Sequence, residues 1–302
     1  DPLHIFDRHT VHVATSGDPA LAFIAYNFDA PIGREGTKLT VGASSSRSKP
    51  KSSPLQPYTF GDTLALGASH PFLRSRRASV DGRISISGYN NGSDVASIGL
   101  SRDHIRALRL GVAADLTDDI GGINLVDVEW SKGLSVLGAS QAGDSLSRIG
   151  ANPQFTKATL YAARLQSLGR GLSALVAVTG QYSDDLLVSA EQFGLGGESF
   201  LRAFDSSDVL GDRGLAAKLE LRWTGVLDQL ATTWYGFFDA GRAQRLEITG
   251  SRTSTSLTSL GVGVRATFGR LRGFLEVAKP GKRDLTLEPC GARSSGAPSC
   301  AQ

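Results

Sequence analysis

The sequence predicts an all-β fold, a transmembrane antiparallel β-barrel, on three observations. Apolar and polar residues alternate with a period of two in segment after segment, the spacing that sends successive side chains of a strand to opposite faces. No run of about 18 uncharged apolar residues occurs, which excludes helical membrane spans. Short Gly-containing links alternate with longer polar ones, as in a barrel with tight turns on one rim and long loops on the other. The clearest strand is 215–223. Leu215, Ala217, Leu219, Leu221 and Trp223 make one face, and Ala216, Lys218, Glu220 and Arg222 the other. A half-buried strand of a soluble protein shares that alternation, so this segment alone does not settle the class.

The same unit recurs from end to end. Segments 10–14 and 21–30 open the series, and at 37–44 Leu39, Val41 and Ala43 oppose Lys38, Thr40 and Ser44. Segments 63–69 and 79–89 follow. At 106–115 Leu108, Leu110 and Val112 face away from Arg109; at 123–131 Val126, Val128 and Trp130 alternate with Asp127, Glu129 and Ser131. Segments 155–165 and 172–182 precede a Gly-rich stretch, and 215–223, 231–242, 257–268 and 271–278 complete thirteen. Most are roughly 7–12 residues long, near what a tilted membrane-crossing strand needs. Links 31–36, 169–171 and 225–228 read as turns, and 45–56, 140–153 and 245–255 as loops. Trp130, Trp223 and Phe268, near strand ends, suit interfacial aromatic girdles. Bacterial barrels of this kind usually have an even strand count, so thirteen leads to the expectation that the first and last strands are missing. Residues 1–282 are assigned to this partial barrel and 283–302 to an irregular tail. Cys290 and Cys300 lie in that tail, where a bridge is possible in an oxidising compartment.

Composition narrows the function classes. Of 302 residues 20% are charged, and 32 basic against 29 acidic side chains leave +3. That balance is too even, and too scattered, for a dedicated nucleic-acid binder. His4, His9 and His12 have loose spacing and no supporting Cys, so no metal site is expected. Gly194, Gly196 and Gly197 are not followed by the Lys-Ser/Thr of a phosphate loop. The stretch 138–143 misses nucleophile-elbow spacing by one residue. Asp184 and Asp185 read as solvated loop carboxylates. Neither an enzyme nor a cofactor is called for.

Several spaced motifs carry a resemblance. EQFGLGGESFLRAF (191–204) and GDRGLAAKLELRW (211–223) stand with SHPFLRSR (69–76), LRLGVAAD (108–115), GFFDAGRA (236–243), and LGVGVRATFG leading to LEVAKP (260–280). Together they resemble the barrel of the ShlB/FhaC/HecB haemolysin secretion/activation proteins, the TpsB transporters of two-partner secretion and relatives of BamA. The similarity spans roughly 9–280. It implies a 16-stranded outer-membrane barrel of a Gram-negative bacterium, preceded by periplasmic POTRA domains. Such a barrel exports a large unfolded exoprotein (TpsA-like, a hemolysin or filamentous adhesin) without ATP. The implied partners are that exoprotein and outer-membrane lipid. A BamA-like assembly factor and a passive porin are the alternatives.

In the family a long loop between strands eleven and twelve folds into the lumen. Here 183–211 falls between the ninth and tenth strands, and two strands absent at the start and one at the end restore sixteen. The implied loop tip is Leu201, Arg202, Ala203 and Phe204, flanked by Gly196, Gly197, Gly211, Asp212, Arg213 and Gly214. The implied wall motif is Phe237, Asp239 and Gly241, with Arg202 meeting Asp239. Alternation agrees on the face, because Trp234, Gly236, Phe238 and Ala240 form the apolar side. Single charge reversals at 202 and 239 should then impair secretion and the double reversal restore part of it. Arg109, Asp127, Glu129, Lys218, Glu220, Arg222 and Arg265 are expected to line the lumen with mixed charge. Ala203 stands where the family has Gly; if that position has φ > 0, the strain is roughly 1 kcal/mol.

Overall fold

The computed structural model describes residues 7–16, 21–49, 57–96, 98–227 and 230–288. His4, Cys290 and Cys300 lie outside the described residues. Thirteen strands form one antiparallel sheet in chain order. They are β1 (Arg8–Thr15), β2 (Leu21–Ile32), β3 (Thr37–Ser48), β4 (Tyr58–Arg74), β5 (Ala78–Val95), β6 (Ile98–Thr117), β7 (Gly122–Gly133), β8 (Thr156–Gly169), β9 (Leu172–Ser183), β12 (Arg213–Leu227), β13 (Leu230–Leu246), β14 (Arg252–Phe268) and β15 (Leu271–Glu288). A separate ribbon, β10 (Phe193–Leu195) with β11 (Val209–Gly211), lies in the β9–β12 link. β1 and β15 are the outermost strands of the sheet. No helix among the described residues is long and apolar enough to cross a membrane.

All thirteen alternating segments are strands, and most run further than the alternation does. β3 ends on Ser44-Ser45-Ser46-Arg47-Ser48, and β14 begins Arg252-Thr253-Ser254-Thr255-Ser256. These extensions are polar on both faces. Beyond the apolar belt the wall stands in water on both sides, so the ladder continues while the period that reveals it disappears. Three expectations change for that reason. The 245–255 loop contracts to 247–251, residues 45–48 belong to β3, and β15 takes in 283–288 from the expected tail. Phe155, placed in a strand by its pattern, precedes β8 and is buried under a loop.

The faces sort as in a wall with oil outside. Leu219, Leu221, Trp223, Trp234 and Phe238 are exposed, whereas Ala216, Glu220, Tyr235, Phe237 and Asp239 on the opposite face are buried. Trp223 pairs with Trp234 across β12–β13, and Trp130 and Phe268 are also outward and exposed. In SHPFLRSR the ladder slips between Pro71 and Leu73. Proline cannot donate to the ladder, so a bulge forms there, and it turns Phe72 outward.

The inward face has two buried apolar clusters, both completed by links between strands. In one, Tyr89, Ile105 and Ala107 of the wall meet Leu146, Ala151, Phe155, Leu187 and Val188. In the other, Leu195, Phe200 and Leu201 lie on Ala177, Ala216, Ala243 and Leu257. Small wall residues leave room for a chain segment to lie flat inside.

Candidate functional site, a loop folded against the inner wall

The β9–β12 link, residues 184–212, folds inward and is fastened at three places. Its tip places Arg202 among three strands. Arg202 Nε and Nη2 donate to the two Asp239 carboxylate oxygens at 3.2 and 3.1 Å, and its backbone N–H donates to Oδ2 at 3.2 Å. Nη1 reaches Glu220 at 2.8 Å and Glu276 at 3.3 Å. The guanidinium lies 3.3 Å from the Phe237 ring centroid. One cation thus bridges β12, β13 and β15, with its side chain only 6% exposed. Bidentate pairing fixes orientation as well as charge.

The carboxylates have further donors. Ser259 Oγ donates to Asp239, Tyr235 Oη to Glu276, and Arg222 and Arg265 to Glu220. Lys218 donates to the Ser199 carbonyl at 3.0 Å and sits over Phe200. Gly241 is the floor of this site. A Cβ there would lie 2.9 Å from Leu195 Cδ2 and 3.0 Å from Leu201 Cδ1, so a larger residue would lift the tip.

Ala203 is not the strained position. Among non-glycine tip residues the positive φ, 60°, belongs to Leu201, whose side chain is fully buried in the second cluster. A left-handed L-residue costs about 1–2 kcal/mol, and here packing holds it. The strain expected at 203 therefore lies two residues earlier. Phe204 packs against the same cluster and closes the tip, donating its N–H to the Leu201 carbonyl. Gly196, at φ 106°, lets the loop's two limbs approach; a Cβ there would lie 2.1 Å from the Asp205 carbonyl oxygen. Gly197 beside it is also at positive φ, and Gly214 lies under the Phe193 ring.

The loop's entry is held by Glu191, in a single 3₁₀ turn at Ser189–Glu191. Its carboxylate meets Arg109 of β6 and Lys157 of β8, each at 2.6 Å. Lys157 and Gln181 also donate to its backbone carbonyl. Burial pushes the Glu191 carboxyl up, but the charges of Lys157 and Arg109 outweigh it and hold it below the ordinary glutamate range. A depressed carboxylate contributes stability above its unfolded pKa, near 4.3, and that contribution fades as pH falls through the folded value. Glu191→Gln should therefore lower the thermal unfolding midpoint at pH 7, by an amount equivalent to about 3–5 kcal/mol. The gap from the parent should narrow as pH drops below about 4. Heat-modifiable gel migration across pH reads both.

The exit is held by Asp212, which is fully buried. It accepts from Arg148 Nη1 at 2.5 Å and from the N–H groups of Leu187 and Leu246, both at 2.8 Å. Arg148, from the β7–β8 link, also donates to the Leu246 and Leu187 carbonyls. This pair ties three links together. Its neighbours Gly211 and Arg213 complete the exit: Gly211 ends β11, and Arg213 donates to the Ser183 carbonyl and stacks on Tyr182.

The remaining lumen-facing residues form one further group. Arg83 binds Asp127 at 2.6 Å and Glu129 at 3.1 Å, and Arg109 lies 3.9 Å from Glu129. Arg109, Asp127 and Glu129 thus belong with Glu191, and Lys218, Glu220, Arg222 and Arg265 with Arg202. Asp185 is a capping residue rather than a solvated carboxylate, accepting from Asn152 and the Thr156 N–H. No cluster of metal-ligating residues occurs among the described residues, and His9 instead bonds Asp7 and Tyr26. Sequence reasoning missed Arg148, Glu191, Lys157 and Glu276. Glu276 alone had a signal, a lone carboxylate between the apolar Leu275 and Val277.

Residues 16–266 match the family model described as haemolysin secretion/activation protein ShlB/FhaC/HecB. An outer membrane transporter, CdiB from Dickeya dadantii (strain 3937), is 34% identical over 103 residues, covering 34% of this chain and 18% of that protein. Among solved structures, CdiB from Escherichia coli superposes with a TM-score of 0.75 at 20% identity, over 95% of this chain and 56% of that one. BamA from Haemophilus ducreyi lacking POTRA domains 1–3 gives 0.63 at 10% identity, over 93% and 63%. The chain spans about half the length of the solved CdiB relative. These likenesses establish the barrel fold and the outer membrane of a Gram-negative bacterium as its place.

Proposed function

Because the chain belongs to the haemolysin secretion/activation family ShlB/FhaC/HecB, we propose that it forms the wall and plug-loop of a two-partner export pore. Its cargo in this reading is a large unfolded polypeptide of hemolysin or filamentous-adhesin type. The observation that carries the reading is the 184–212 loop, held on the inner wall by Arg202 on Asp239, Glu220 and Glu276. The hydrated inner face supports the same reading, since paired charges of both signs bind an extended chain weakly along its length. Such a chain slides rather than sticks.

The test is export of the partner encoded beside this gene. Deletion should remove that polypeptide from the medium while leaving the amounts of other outer-membrane proteins unchanged. Partner still reaching the medium would overturn the proposal, and a general loss of outer-membrane proteins would favour the assembly-factor alternative.

A further inference from the structure

The rim carrying the long links 134–155 and 184–212 is the cell-surface rim, since outer-membrane barrels put short turns on the periplasmic side. Just below it, two neighbouring cations on the outward face, Arg106 and Lys132, bond to carbonyls, an amide and a hydroxyl rather than to a carboxylate. Arg106 of β6 donates to the Asn90 side chain at 2.9 Å and to the carbonyls of Tyr89, Ile105 and Leu137. Lys132 of β7 donates to the Gln154 carbonyl at 2.9 Å and to Thr156 Oγ1 at 2.8 Å. Both point outward. Arg106 lies over Gly88 on the face of the exposed Ile84 and Ile86, whereas its neighbours Ile105 and Ala107 are buried inside. Lys132 pairs with Leu108 and is therefore a diagonal neighbour of Arg106, within about 7–8 Å between backbones. His104, two residues before Arg106, is on the same face.

An unpaired cation facing hydrocarbon is unfavourable, unless the lipid itself supplies the anion. Beside Arg106 the surface dips into a groove of about 440 Å³. It is lined by Leu64, Leu66, Ile86 and Leu137, the last turned onto the outer wall at φ 50° and largely exposed. Asp62 borders the groove, but Arg47 neutralises it at 2.9 and 3.0 Å. Arg102 higher on the same face is likewise matched, by Asp94. The charge beside the groove is carried by Arg106 and Lys132, above an apolar trough wide enough for an acyl chain.

We propose that this is a binding site for the phosphorylated glycolipid of the outer leaflet. Arg106 and Lys132 hold a headgroup phosphate, and one acyl chain lies along Leu64, Leu66 and Ile86. The inference rests on the wall's place in the outer membrane, not on what its lumen passes, so failure of one leaves the other standing.

The test is native mass spectrometry of the protein extracted from outer membranes in mild detergent and offered three lipids: diphosphorylated lipid A, the same lipid without phosphates, and phosphatidylglycerol. The parent should retain the diphosphorylated form about tenfold more than the phosphate-free form. The Arg106→Gln/Lys132→Gln variant should lose that preference, and Arg102→Gln/Asp94→Asn, a matched pair higher on the same face, should keep it. If the double variant fails to fold, as heat-modifiable migration would report, Lys132→Gln alone is read, because its side chain touches only a carbonyl and a hydroxyl. A folded variant with undiminished preference overturns the site. Equal retention of phosphatidylglycerol by the parent overturns the choice of glycolipid.

Discussion

Replacing Arg202 with alanine should free the loop's tip, its ends still held at Glu191 and Asp212, and stop export while leaving the wall in the membrane. Three carboxylates, Asp239, Glu220 and Glu276, converge on this guanidinium. Removing it leaves like charges facing one another, with Lys218, Arg222 and Arg265 at the periphery to screen them. Breaking a buried pair typically costs about 3–5 kcal/mol. A docked loop losing even about 3 kcal/mol shifts its docked-to-released ratio by roughly two orders of magnitude. Two measurements check this: partner polypeptide in the medium should fall to background, and planar-bilayer conductance should rise as the passage clears. Normal export would overturn the loop's role. The three-way arrangement also changes what a charge swap can do. Reversing both Arg202 and Asp239 would set a carboxylate at 202 against Glu220 and Glu276, so the double reversal should not recover. Lysine at 202 should recover only partly, since an ammonium cannot fork onto Asp239.

The second large effect is expected at Asp212. Asp212→Ala leaves the Arg148 guanidinium buried without its counter-charge and strands the N–H groups of Leu187 and Leu246. The expected loss is about 3–5 kcal/mol, read as an earlier unfolding midpoint and as new protease cleavage within 134–155 and 184–212. Asp212→Asn can still accept from an N–H group and should lose less. The Arg148→Met/Asp212→Leu pair, which removes both charges together, should restore part of the midpoint. Surface-loop cleavage unchanged in Asp212→Ala would mean the three links hold without it.

Much of this architecture was legible because lipid and water impose opposite demands on alternate residues. Leu219, Leu221 and Trp223 must be apolar while Glu220 and Arg222 need not be, and that contrast survives in the sequence. Where water lies on both sides the contrast vanishes, which is why Arg47–Ser48 and Arg252–Thr255 gave no strand signal. The tip motif could be aligned by resemblance, but its second and third acceptors could not. Glu220 and Glu276 reach Arg202 only because β12, β13 and β15 curve around one point, and curvature has no residue pattern. Arg148 was invisible for a simpler reason. Its partner is 64 residues away, and neither end sits in a periodic segment.

The loop's fastenings at Glu191, Arg202 and Asp212 draw on different strands and links, so no one of them slackens merely because another does. Partial loosening leaves the remaining contacts holding the segment in place. Movement out of the passage then proceeds one fastening at a time, and a single-channel recording should step through intermediate current levels rather than switch between two.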